Sequence, residues 1–218
     1  MATTGTEIIS QVREIMKDAA GSPFTERYTD AFLLECINFG QLELVGLKHD
    51  ASTATEPMEL VAGTKQTLPT GAVAFLRLSR NLGTDGATPG RTITSITKAD
   101  MDSSDPYWHQ AVDMGEVIHY IFEDVDENNF YVYPATVGHV EIVYSRAPTK
   151  LAALTENIDL NDVYAPALVY YVCFKCFSVD FDDMTMLGKG KEFYTLFANA
   201  IGAKLQNELT ISPNSAPQ

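Results

Sequence analysis

The hydrophobic period of this chain changes twice, and that change limits its fold more than any single motif does. Apolar residues first recur every three or four positions, at Ile8, Ile9, Val12, Ile15, Met16 and Ala19, behind Thr6 as the expected N-cap. Gly21-Ser22-Pro23 is the expected stop. Thr29 is placed to cap a second helix with Asp30 in its positive first turn. Phe32, Leu33, Cys36, Ile37, Leu44, Val45 and Leu47 then carry the period to about Lys48. Gly40 inside that helix costs about 1 kcal/mol relative to Ala, and close approach of a neighbouring helix is the reason we expect for it.

From Glu56 to about Pro148 the chemistry is that of strands. Apolar or alternating runs over 72–82, 91–96, 117–122, 130–133 and 140–144 are separated by turn residues, as expected for a small antiparallel sandwich or barrel. After a linker over 149–160, helix period returns. Asn161 or Asp162 can cap a helix through Phe181, with Pro166 in its opening turn. Gly188-Lys189-Gly190 is expected to separate this from a last helix over 191–210, striped by Phe193, Leu196, Phe197, Ala200, Ile201, Leu205 and Leu209. The class is therefore α+β: a helical bundle built from N- and C-terminal helices with an inserted antiparallel β-rich domain. The expected boundaries are 1–52 for the N-terminal helices, 53–150 for the insertion, 151–210 for the C-terminal helices and 211–218 for a flexible tail.

Charge narrows the function classes. Fifteen Lys+Arg stand against 29 Asp+Glu, a net −14, which argues against gripping nucleic-acid phosphates or anionic membranes. Hydrophobic residues at 45% and charged residues at 20% exclude wholesale disorder. The start lacks a basic, apolar signal pattern, and the longest apolar stretch, near 165–177, is interrupted by Lys175 and is too short to span a bilayer. A protein made in the cytoplasm, with no membrane partner, is expected.

Chemical motifs are sparse. Cys173-x-x-Cys176 is the one metal-like pair, but Cys36 is distant and His49, His109, His119 and His139 have no zinc spacing, so buried core cysteines are expected. The acidic run Glu123 to Glu127 with Asn128 and Asn129, and the cluster Asp180, Asp182 and Asp183, lack a calcium-loop pattern and read as solvated loops. Gly83, Gly86 and Gly90 mark a loop rather than a phosphate cradle. No nucleophile elbow is present, and the scattered His point to no catalytic residue, no metal ligand and no cofactor. The chain does not read as an enzyme, although a hydrolase with scattered residues around His119 or His139 stays open. Tyr107 and Trp108, after the polar stretch 102–106, are either tucked onto the β core or an anchor for a partner protein. The stretch from Leu209 to Gln218 holds Pro213, Pro217 and, after Leu209, only Ile211 as a large apolar residue, so it should be mobile in the free subunit.

The order of these segments resembles a known family. Thr29-Asp30-Ala31-x-Leu33-Leu34-x-x-Ile37-Asn38-x-Gly40-Gln41 is followed by Asp50-Ala51 and by Leu60-x-Ala62-Gly63-Thr64-Lys65-Gln66-x-Leu68-Pro69. Arg80-Asn81, Met101-Asp102 and Pro106-x-Trp108 come next, then Phe130-Tyr131-Val132-Tyr133-Pro134 and Tyr164-Ala165-x-Ala167-Leu168-Val169-x-Tyr171. Over about residues 6–210 this resembles the head-to-tail adaptor (connector) proteins of short-tailed bacteriophages. The resemblance implies a virion protein of the neck, forming a ring, typically a dodecamer, between the portal protein and the tail tube or nozzle. It implies that double-stranded DNA passes through without specific binding, which a negative ring favours. It also implies a portal-binding end containing Leu209, Ile211 and Pro213, and a tail-facing β domain carrying Tyr107 and Trp108. A β-domain module of a tail appendage, recognising host protein or glycan, is the alternative.

Overall fold

A computed structural model of the chain describes residues 2–17, 27–110, 114–123, 125–179 and 184–211, with side chains in the last helix over 186–202. It is a mixed α+β protein whose contacts divide into two compact units: Met1–Ala51 with Pro148–Gln218, and Ser52–Ala147.

In the first unit, α1 (Gly5–Met16) is capped by Thr4, not by Thr6. The Thr4 hydroxyl accepts from Glu7 N while the Glu7 carboxylate accepts from Thr4 N, a reciprocal capping box that satisfies two otherwise orphan donors. The expected stop at Gly21-Ser22-Pro23 lies outside the described residues. Helix α2 (Asp30–Leu47) starts where its sequence predicts, with the Thr29 hydroxyl accepting from Phe32 N. Helix α4 (Ala165–Ser178) has buried residues on almost every side, because α1, α2 and α5 (Met184–Ile211) all pack on it. It follows a 3₁₀ turn over Asp162–Tyr164, capped by Asn161, and stops at Ser178, short of the expected Phe181.

Gly40 bears out the close-approach reading. A Cβ there would lie 2.8 Å from Tyr171 Cδ1 and 3.2 Å from Leu168 Cδ2, so only hydrogen lets α2 and α4 meet at this depth. Gly188 and Gly190, expected to break the chain, instead sit inside the 28-residue α5. At Gly190 a Cβ would lie at contact distance from Phe177 and Ser178, so packing on α4 offsets the poor helix propensity. The 149–160 linker is pinned: Asn38 exchanges hydrogen bonds with Leu151 N and O, Gln41 accepts from Asp159 N, and Gly5 and Thr6 N–H donate to Glu156 and Leu154 carbonyls.

Among its described residues, the second unit holds two four-stranded sheets. The first has the order β1-β8-β3-β4, from Thr53–Glu59, His139–Arg146, Ala72–Leu82 and Pro89–Thr92. The second is β2-β7-β6-β5, from Lys65–Thr67, Asn129–Tyr133, His119–Ile121 and Thr94–Ser95. The pairing is antiparallel as expected, with one exception: the two-residue β5 runs parallel to β6. Helix α3 (Lys98–Ser104) and the turn after it lie between those two strands in sequence, and a crossover of that length is what parallel neighbours require. Pro57 is tolerated because β1 is an edge strand. Leu60, Phe75, Leu78, Phe130, Val132, Val140 and Ile142 form a shared core, with the Phe75 and Phe130 rings stacked at 4.9 Å. The short α3 occupies a stretch expected to be a polar loop. Thr97 caps it, and Met101 is its one buried side chain.

Candidate partner-binding surfaces

Trp108 is not a surface anchor. It is 1% exposed, packed with Met101 and Ile121, stacked on His109 at 3.6 Å and met edge-on by Tyr131. The polar residues before it, which suggest exposure, are what let it bury: Asp102 on α3 accepts its indole N–H at 2.8 Å. The buried ring anchors a 3₁₀ turn over Trp108–Gln110, and the residue just before that turn, Tyr107, is 72% exposed.

Two further loops are tied to this turn. The His109 imidazole shares a 2.8 Å hydrogen bond with the Thr64 hydroxyl. Thr64 lies in a loop organised by Gln66, whose side chain is fully buried. Gln66 Oε1 accepts from Val61 N, and its Nε2 donates to the Val61 and Gly63 carbonyls. Gly63, at φ +108°, supplies the backbone conformation that this loop needs. Leu60 N donates to Gly138 O, joining the loop that carries Val137. Val61 and Val137 are both exposed, so hydrogen bonds link three loops that each present one large side chain: Val61, Tyr107 and Val137. Sequence reading finds Tyr107 and misses the two valines, since nothing in a lone Val separates surface from core. The Gly63 turn is the available signal.

At the other candidate site, α5 runs through Leu209 to Ile211. Ile211, expected to open a flexible tail, belongs to this helix, and Pro213 lies outside the described residues. The acidic cluster at 180, 182 and 183 lies outside them as well.

The remaining motifs fall into structural roles. Cys36, Cys173 and Cys176 are buried thiols; burial pushes Cys173 up to about 12 and Cys36 up to about 11. Tyr28 O–H donates to the Cys176 carbonyl. Among the described residues no group of three or more His, Cys, Asp or Glu could hold a metal ion. In the acidic hairpin, Asp126 accepts from Asn129 and is paired with Lys65 at 3.0 Å, and these two partners hold its carboxyl below its ordinary range. Asp85, in the loop that joins β3 to β4, accepts from Thr88 N, Ala87 N and the Thr88 hydroxyl, which lowers its carboxyl to about 2. His49 bonds to the Val45 carbonyl and His119 to the Thr94 hydroxyl, while His139 lies against Gly86. Among the described residues none of these imidazoles hydrogen-bonds to a carboxylate. Two open clefts, one along Phe39, Leu42 and Leu47 of α2 and one beside Tyr28 and Phe32, are lined by no His or Cys.

The exposed large apolar side chains include Val61, Tyr107 and Val137 on the linked loops and Phe39, Leu42 and Leu47 on α2. A model of the SU10 adaptor protein family matches residues 3–217, and the chain belongs to that family. It is a phage structural adaptor, a component of the virion that interacts with other head and tail proteins. No curated protein matches it. Among the described residues no helix is long and apolar enough to cross a membrane.

Proposed function

We propose that this adaptor acts in the virion neck as a ring, typically of twelve copies, joining the portal protein to the tail tube or nozzle around the DNA exit channel. Family membership over residues 3–217 is the observation that carries this reading. In it, the helical unit is a bundle that carries the β unit as an inserted domain. The end of α5 and the following tail, with Leu209, Ile211 and Pro213, dock on the portal. The β unit faces the tail through Tyr107, joined by Val61 and Val137. The role is structural, without catalysis or cofactor, and double-stranded DNA passes without specific binding.

Charge supports the channel role. Ser52–Ala147 has 13 acidic against 6 basic side chains and the rest of the chain has 16 against 9, a net −7 each. Acidity is therefore not confined to one unit, so either unit at the bore would bring a net negative charge to it, which disfavours adhesion of phosphates.

The test is to mix the purified chain with portal rings of its own phage and measure mass and symmetry by native mass spectrometry and electron microscopy. A stoichiometric ring on the portal is expected, and portals that remain bare would refute the reading. Removing residues 211–218 should leave the thermal midpoint nearly unchanged while weakening portal attachment. Equal attachment by the truncated chain would remove the portal role of this end.

A further inference from the structure

Helix α2 is apolar on both faces. Leu33, Cys36, Ile37, Leu44 and Val45 are buried inside the unit, yet Phe39, Leu42 and Leu47 are each about half exposed. With Gly46 they follow helical spacing at i, i+3, i+7 and i+8, and they line one open cleft floored by Tyr171. A Cβ on Gly46 would meet nothing within 4 Å, in contrast to Gly40, so the backbone there is open to close approach from outside. A helix apolar all round is ordinarily covered all round.

The charges on α2 select what covers it. Its charged residues are Asp30, Glu35 and Glu43, with no Lys or Arg. Two copies meeting through α2 itself would set Glu35 and Glu43 of one against the same carboxylates of the other. A different face must therefore meet it, and α5 provides one. Lys189, Phe193, Leu196 and Ala200 fall on one side of α5 at i, i+4, i+7 and i+11. Lys189 and Leu196 are exposed, and Phe193 and Ala200 are half-buried. Lys189 and Lys191 outnumber Glu192 along this stretch, so the edge combines exposed apolar surface with a net positive charge, the complement of the acidic α2 stripe.

We infer that the α2 stripe of one subunit seats the Lys189–Leu196 edge of α5 from a second copy of this chain. Unlike patches on identical subunits make a heterologous contact, the type that closes into rings. The inference rests on the ring reading above and names the surface that builds it. Because each subunit is strongly acidic, apolar contact must overcome general repulsion, so added salt should strengthen association.

The test uses the full chain, with oligomerisation followed by native mass spectrometry and sedimentation over a concentration series. Leu42→Glu and Leu196→Glu should each raise the concentration for half-assembly by about 30-fold or more, as for a central interface residue. Val125→Glu, at an exposed hairpin position, should not. Mixing a Gly46→Cys chain with a Leu196→Cys chain under mild oxidation should give a covalent dimer that neither chain forms alone. This second measurement decides the matter if a Glu variant misfolds. Should the wild-type chain assemble and Leu42→Glu assemble equally, this surface is wrong and the ring stands. Cross-linking of Gly46→Cys with itself would overturn the choice of α5. A wild-type chain monomeric at every concentration, and still monomeric on portal rings, would end both the ring and this contact.

Discussion

Replacing Gln66 with Glu tests whether one buried amide organises the loop that presents Val61. The two side chains are nearly isosteric, so packing is preserved and only the hydrogen-bond pattern changes. A neutral carboxyl can still accept from Val61 N and donate to one of the two carbonyls, so the loss is one hydrogen bond, about 1 kcal/mol. An ionised carboxylate has no donor and would face both carbonyl oxygens from a fully buried position. The folded Gln66→Glu variant therefore retains the proton, and the pKa of the introduced carboxyl is raised above its unfolded value of about 4.3. A raised carboxyl pKa means the native state binds more protons than the unfolded state, so stability falls as pH rises through that window. The slope is about 1.4 kcal/mol per pH unit, reaching about 4 kcal/mol of added cost at pH 7 if the carboxyl stays neutral. Trp108 is the only tryptophan, it is buried, and it lies in the same unit as Gln66, so its fluorescence reports the unfolding of that unit alone. Urea midpoints should differ from wild type slightly at pH 4.5 and by about 1–3 M at pH 7.5, given typical slopes for small domains. A Gln66→Met control should show a loss that does not vary with pH. If the gap between Gln66→Glu and wild type were the same at both pH values, the buried-donor argument would be refuted.

Three other outcomes are expected. Gly40→Ala gains helix propensity but drives a methyl into Tyr171, so net destabilisation of about 1–2 kcal/mol should appear as a lower helical melting temperature by circular dichroism. Cys173, buried and held protonated, should resist a thiol reagent at pH 8 in the native state and react once urea unfolds the chain; rapid native labelling would contradict its burial. Asp85, with its carboxyl lowered to about 2, contributes stability that is present above its unfolded pKa near 3.8 and lost as pH falls toward 2. Asp85→Asn should accordingly flatten the acid-unfolding profile between pH 4 and 2, and an unchanged profile would count against that role.

Helix and strand periods make most elements legible before any coordinates. Thr29 and Asp30 mark the start of α2, and Gly40 announces its close contact. The misses have physical reasons. Helix α3 has one large apolar residue, Met101, so it has no period to detect, and its cap Thr97 resembles any loop threonine. Gly188 and Gly190 of α5 are helix breakers by propensity, and the packing of Gly190 against Phe177 and Ser178 joins residues whose proximity no local pattern encodes. The polar neighbours of Trp108 leave its burial undecided in sequence, because the acceptor for its indole, Asp102, counts there as a surface residue and in the fold as a partner. The linked loops at Val61, Tyr107 and Val137 join residues dozens of positions apart, which no local pattern encodes. The α2 stripe is visible as Phe39, Leu42 and Leu47, but an apolar helix gives no sign of which face its own chain leaves uncovered.

The chain leaves the helical unit at Ala51 and returns at Pro148, and the first and last strands of the β unit, β1 and β8, are antiparallel neighbours with Thr53 opposite Ser145. Arg146 N donates to Ser52 O at the foot of that ladder, so the two connections leave side by side at the spacing of paired strands, about 5 Å. A module whose two ends emerge together behaves as a cassette. Any β unit closing on a similar terminal pair could be spliced into the same helical frame without altering its length or register. Recombination between phages could then exchange the surface of the β unit while leaving that of the helical unit intact.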